Sequence, residues 1–560
     1  MKWRKKSQGM LAASMAAVLI VLAGCSGGGS EEPSGTGGDA GSGSGSAFDL
    51  WLGWSATINN DSLVQKYWKE QEPGVEVKLE ATQGDATTAL NLKLNTGGFK
   101  DAAIFNRSET VDNAMKRSNK IMPLEQYFDM PGQYPGLASI PKPYLEEMKD
   151  EDGHIWSIPT WFDQNPDNPW PGWASQTWLV RTDVLEKAGM TLEDLSTLEG
   201  VEQFLAKAAG IADDSGKPLN PMGFLMDPND TIGWNDENAI LSAFGVTTGS
   251  AGGVIPVSER NGEFVLLFDD PQYKAAYQWI NKMYQAKLID PEVVTDKKER
   301  YKEKNKSGRT ALNAGSFFNV DSTLWETLDG PTEPGWYYQV IPFPKVDGVE
   351  RVGTNQVVNP YPGYDVYISK ETKNLEAILK FFDYTLQPKA EQQQVINEGP
   401  AGLYWDWVDQ PLGEWKYIDE EYKAARNSGD AAQKSKVTPE LYMTSSFNND
   451  WYPWWNYGES DKAGAKRTSE FTAQVGEMGG VRGAEPYDMV KAKPGGLWEK
   501  YGPELETVRK EYRAKLIMSK DTAQFEANWE AFRDALEKRA HWSELKREWR
   551  ESYDAMVGGQ

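Results

Sequence analysis

Cysteine and histidine are almost missing from this chain, and their scarcity removes whole classes of chemistry. Cys25 is the only cysteine in 560 residues, so no disulfide can form within the chain. His154 and His541 are the only histidines. Zinc sites built from Cys and His are therefore excluded, as are Cys–His dyads, and a Ser-His-Asp triad would need one of those two imidazoles. No G-x-S-x-G elbow and no glycine-rich phosphate loop is present. Positive charge is also short, with 59 Lys and Arg against 83 Asp and Glu and a net charge of −24. That excess keeps a protein soluble and argues against nucleic acid or an anionic surface as partner. Internal repeats are lacking, which tells against a repetitive adhesin.

Long apolar runs are short in supply too. Only Met10 to Leu22 is almost wholly apolar, and it falls well below the roughly 20 residues that span a bilayer as a helix. Lys2, Arg4, Lys5 and Lys6 precede it, so it reads as a secretory leader over residues 1–24. Leu22-Ala23-Gly24-Cys25 then looks like a lipobox, whose cysteine is acylated and becomes the new N-terminus. Each buried methylene of an acyl chain stabilises attachment by about 0.8 kcal/mol, so two or more chains anchor firmly. Ser26 to Ser46 is mostly Gly and Ser and is expected to act as a tether with a reach of about 25 Å.

Beyond residue 46 the chain is too long for one core. Strand-like runs at Phe48–Trp54, Val75–Leu79 and Ala102–Phe105 alternate with helical patterns after Asp61 or Ser62, after Asp85 and over Glu109–Arg117. Further strands are expected at Gly153–Pro159, Thr177–Val180 and Asp365–Ile368. Further helices are expected at Pro271–Leu288, Asn374–Ile396 and through the C-terminal segment. This alternation is the pattern of an α/β fold. The aromatic stripe Phe525, Trp529, Phe532 and Leu536 has helical spacing and reads as core.

Asp152-Gly153-His154-Ile155-Trp156-Ser157-Ile158-Pro159 is followed along the chain by the run Trp178 to Gly189, by Lys287 to Glu292 and by Asn397-Glu398-Gly399. In that order these stretches resemble the family 1 extracellular solute-binding proteins, the carbohydrate-binding lipoproteins of ABC importers. The resemblance implies a two-lobe periplasmic-binding-protein-like α/β fold, with a hinge between discontinuous lobes. The first lobe would use roughly 47–165 and 355–402, and the second roughly 166–354 and 403–560. It also implies a carbohydrate ligand, membrane subunits of an ABC importer as partners, attachment to the outer face of the cell membrane through Cys25, and a monomer. No cofactor is expected: Asp213, Asp214 and Ser215 remain of a calcium loop whose closing glutamate is missing.

A sugar presents hydroxyls at its rim and C–H groups on its faces, so its site needs aromatic plates and fixed polar partners. In open α/β sheets such a site lies beyond the carboxyl ends of the strands. By that logic the candidate ligand residues are Trp54, Asp85, Phe105, Asn106, Arg107, Trp161, Asp163 and Trp173. Trp234, Asn235, Phe317, Trp454 and Trp455 complete them on the second lobe. No catalytic residue is assigned. The rival reading is a secreted polysaccharide-active enzyme, a glycosidase or lyase, whose cleft would also be Trp-rich. With 83 acidic residues, a carboxylate pair of the needed spacing arises by chance, so that reading stays open.

Overall fold

Apolar side chains on both faces build the first sheet. In β1 (Ser46–Leu52), Phe48, Leu50 and Leu52 enter one core while Trp51 enters another on the opposite face. β2 (Val75–Ala81), β3 (Ala102–Asn106) and β4 (Ile158–Thr160) follow in the chain. The second sheet takes β5 (Gln176–Arg181), β6 (Asn220–Gly223), β7 (Thr310–Ser316) and β8 (Tyr338–Val340). β9 (Tyr364–Ile368) then returns to the first sheet. The spatial orders are β2-β1-β3-β9-β4 and β8-β5-β7-β6. β9 runs against both β3 and β4, and β5 runs against both β7 and β8.

The computed structural model describes residues 46–84, 86–150, 152–165, 176–213, 216–226, 235–250, 253–320, 324, 335–354, 356–357, 363–448, 458–459, 475, 480–493 and 495–558. Each sheet carries side chains on both faces, as a doubly covered α/β sheet must. The first core joins Leu50, Ile104, Ile158 and Val366 to Trp68, Tyr144 and Phe382 on flanking helices. The second joins Trp178, Leu312 and Met222 to Tyr277, Trp529 and Trp542. A fully buried large apolar side chain contributes about 1.5–3 kcal/mol, so both cores rest heavily on aromatic residues.

Local signals place most elements where the pattern puts them. The helix Leu63–Glu70 starts at Ser62, whose hydroxyl accepts the Gln65 N–H at 3.3 Å. The expected long helix over 374–396 is two helices, Leu375–Thr385 and Gln392–Glu398, because Pro388 cannot donate to the ladder. The expected strand over 153–159 is only Ile158–Thr160. Upstream, Asp150 collects the N–H groups of Asp152 and His154 and holds a tight loop instead. Residues 405–443, assigned above to the second lobe, pack Trp405, Trp415, Tyr422 and Leu441 into the first core. The chain thus passes between the two cores three times, and Gln356–Val357 pairs in parallel with Val481–Arg482 beside two of those passages. Among the described residues no helix is long and apolar enough to cross a membrane.

Candidate functional site

The carboxyl edge of the first sheet gathers four of the expected ligand residues. β9 runs antiparallel to its neighbours, so its first residue, Tyr364, stands opposite Asn106 at the end of β3 and opposite Thr160 at the end of β4. Beyond that row the backbone ladder continues. Arg107 N–H donates to the Gly363 carbonyl at 2.9 Å, Gly363 N–H to Trp161 at 2.9 Å, and Trp161 N–H to Ser445 at 2.7 Å. Trp54 closes the row, its ring 5.6 Å from that of Tyr364. Asn106 is exposed, while Trp54, Trp161 and Tyr364 are half-buried.

Trp161 is held against its own backbone preference. Its φ of 57° lies in the left-handed region, which costs an L residue roughly 1–2 kcal/mol. Hydrogen bonds to Ser445 and Gly363 fix the peptide, and the rings of Tyr442 and Phe447 each stand 5.2 Å from the indole. A Cβ on residue 363 would lie 2.7 Å from Trp161 Cδ1, so only glycine leaves room for the ring there. Residues of strained backbone that are this firmly fixed cluster at functional sites. Tyr442 is 42 % exposed, which leaves its ring open at the edge. Burial, with a smaller contribution from Tyr442, pushes the Tyr364 hydroxyl up to about 12, so it stays a neutral donor and acceptor at physiological pH.

The polar groups beside this row are mostly tied inward. Asp365 is buried, accepts the Ser157 hydroxyl at 2.9 Å and faces Arg107 at 3.9 Å. Burial raises its carboxyl above the usual range even though Arg107 pulls the other way. Asp163 is buried and accepts the Asn165 N–H at 2.9 Å, ordering a turn. Phe105 is core: it is 2 % exposed, packs edge-on against Trp51 and covers Gly53.

On the second sheet the expected residues are buried as well. Asn235 accepts from Arg513 at 2.9 Å, and Phe317 sits in a core cluster with Leu179 and Tyr338. Neighbouring Asp236 accepts N–H groups from Leu225 and Ser316 and the amide of Asn319, tying three segments to one carboxylate. Asp85, Trp173, Trp234, Trp454 and Trp455 lie outside the described residues, as does Cys25. Sequence reasoning missed Tyr364, Tyr442 and Phe447. Pro362-Gly363 before a strand was the one legible signal, whereas Tyr442 and Phe447 reach the edge only through pairing of 445–447 with 161–164.

Among the described residues one carboxylate cluster has metal-like spacing, Asp290, Glu292 and Asp296. The Lys304 ammonium occupies its centre, 2.7 Å from Asp290 and 2.9 Å from Glu292 and also paired with Asp296. Hydrogen bonds from Arg300 and Lys304 hold the Glu292 carboxyl down to about 2. The cluster is a closed ion-pair network.

Aromatic plates with neutral hydrogen-bonding groups, set on a rigid sheet edge, suit a polyol. Comparison with known proteins agrees with this architecture. The structure of the ABC-transporter substrate-binding protein FusA from S. pneumoniae, in complex with kestose, matches with a TM-score of 0.66. It is 18% identical, and the match covers 92% of this chain and 100% of that one. An HMO-binding, ABC-transporter-associated solute-binding protein from Bifidobacterium longum infantis matches with a TM-score of 0.66 at 14% identity, covering 91% and 99%. The N-glycan transport protein NgtS of Streptococcus pneumoniae, in complex with Man5GlcNAc, matches with a TM-score of 0.51 at 12% identity, covering 92% and 99%. These likenesses establish the periplasmic-binding-protein-like fold. No curated protein matches the sequence. The model of the family described as bacterial extracellular solute-binding protein matches residues 56–392, more than half of the chain. This chain therefore belongs to the bacterial extracellular solute-binding protein family.

Proposed function

We propose that this protein captures an oligosaccharide at the outer face of the cell and delivers it, unaltered, to the membrane subunits of an ABC importer. The observation that carries this reading is the edge of the first sheet, where Trp54, Trp161, Tyr364 and Tyr442 present rings beside the exposed Asn106 amide. Rings of that kind take the C–H faces of a sugar, and the amide takes its hydroxyls. In this reading the lobes are 46–165 with 363–448 and 176–357 with 480–558, each holding one of the two cores. They close about the hinge because the ligand gains contacts to both only in the closed form. The protein works as a monomer, held to the membrane by lipid on Cys25.

Titration of the purified protein with kestose, Man5GlcNAc and an alginate trisaccharide tests the reading. The expected result is a saturable change in tryptophan fluorescence with at least one probe. Ligand at about 100 times its Kd adds about 2.7 kcal/mol of stability, so the melting temperature rises as well. The sugar is recovered intact by mass spectrometry. No response to any probe overturns the reading, and shortened or unsaturated products make the protein an enzyme.

A further inference from the structure

The chain leaves the first sheet at Thr160, the last residue of β4, and enters the second at Gln176, the first of β5. Both side chains are buried, at 0% and 1% exposure. Neither has a hydrogen-bond partner: Thr160 Oγ1 stands alone, and so do both Oε1 and Nε2 of Gln176. Among the described residues Gln176 is the one amide with both of its polar atoms in that condition. Native proteins seldom bury an amide without partners, and such a group calls for a reason.

Its position supplies one. β5 runs against β7, so Gln176 lies opposite Ser316 at the carboxyl end of that strand. Strand alternation puts Gln176 on the face of Trp178 and Val180, which enter the second core. It therefore extends that core face by one row to the sheet edge. Thr160 and Tyr364 stand in the same relation to Ile158 and Val366 on the first sheet. The other polar side chains nearby are used by the protein itself, Asp236 by Leu225, Ser316 and Asn319, and Asn235 by Arg513.

Building on the oligosaccharide reading, we propose that Gln176 is a ligand-reading residue whose amide is completed by two neighbouring hydroxyls of one sugar ring. Oε1 accepts from one hydroxyl, and Nε2 donates to the next. The pair demands partners that can both give and take a proton, which a neutral vicinal diol does. A carboxylate accepts from Nε2 but leaves Oε1 bare, so the amide pairs with a diol and not with a carboxylate group.

The test replaces Gln176 with Met, which removes both polar groups at nearly constant volume. Deleting an unpartnered buried amide leaves the melting temperature unchanged or higher. Affinity for kestose, the neutral probe, falls about tenfold or more. A variant that melts lower and binds kestose as tightly as the native protein gives Gln176 a structural role and overturns the proposal. Gln176→Glu keeps the shape, loses the donor and adds a charge, and is expected to bind kestose no better than Gln176→Met; native-like affinity overturns the diol pairing. Silence of the native protein toward every probe is a separate outcome, since it removes the oligosaccharide reading beneath this one.

Discussion

Adding one methyl group at residue 363 probes the proposed site where its geometry is tightest. In Gly363→Ala the new Cβ lies 2.7 Å from Trp161 Cδ1 and 3.4 Å from the Trp161 carbonyl oxygen. Carbon atoms in contact prefer about 3.5–4.0 Å, so the indole must retreat by roughly 1 Å. It has little room, because Tyr442 and Phe447 flank it at 5.2 Å and Ser445 and Gly363 hold its peptide. Residue 363 is not among the positive-φ positions, so alanine introduces no backbone strain of its own there. Overpacking of this kind costs about 1–3 kcal/mol. For a lobe of a few hundred residues that lowers the melting temperature by roughly 2–10 °C. Displacing one aromatic plate weakens kestose binding about 2–10-fold. Calorimetry on Gly363→Ala, Trp161→Ala and the double variant separates the clash from other effects. If the contact with Trp161 is the cause, the methyl costs less than about 0.5 kcal/mol once the indole is gone. An equal loss in both backgrounds refutes the reasoning.

Three further outcomes are expected. Glu237→Gln strips the counter-charge from Arg513, which is 2.9 Å away and 4% exposed at its side chain, and destabilises the second core by about 3–5 kcal/mol in urea unfolding; a change under 0.5 kcal/mol contradicts the pairing. Burial alone would raise the Asp269 carboxyl, but hydrogen bonds from Lys546, Trp542 and Arg533 hold it below the usual 3.8. Its stabilisation is therefore present above the usual 3.8 and is lost as pH falls through the lower folded value, so Asp269→Asn melts below the native protein at pH 7 and approaches it as the pH drops below that folded value. A gap that stays constant with pH removes Asp269 from the acid response. Cys25→Ala is expected to move the protein from the membrane fraction into the medium, and retention at the membrane contradicts lipid anchoring.

Much of the fold is legible because its signals are local. Val75, Val77 and Leu79 announce a strand by period-two alternation and Asp61-Ser62 a helix start, whereas the wider periodicity over 374–396 hides the break at Pro388. The proposed site is less legible. Trp54, Asn106, Arg107 and Trp161 follow strands directly and are found at one edge. Phe105 and Phe317, read by the same rule, are buried, because a residue at a strand end faces core or cleft according to its parity and its neighbours.

Composition and short-range pattern by themselves determined the acidic chain with no internal disulfide, its alternating α/β elements, most strands of the first sheet and the ends where a site could form; Asn220–Gly223, Thr310–Ser316 and Tyr338–Val340 carried no such signal. Tertiary structure alone decided which of those ends meet. Tyr364 reaches Asn106 and Thr160 because β9 reverses direction, and Tyr442 and Phe447 reach Trp161 through a segment nearly 300 residues away. Such contacts depend on how separate stretches pair and pack, and no periodicity within a single stretch encodes its partner.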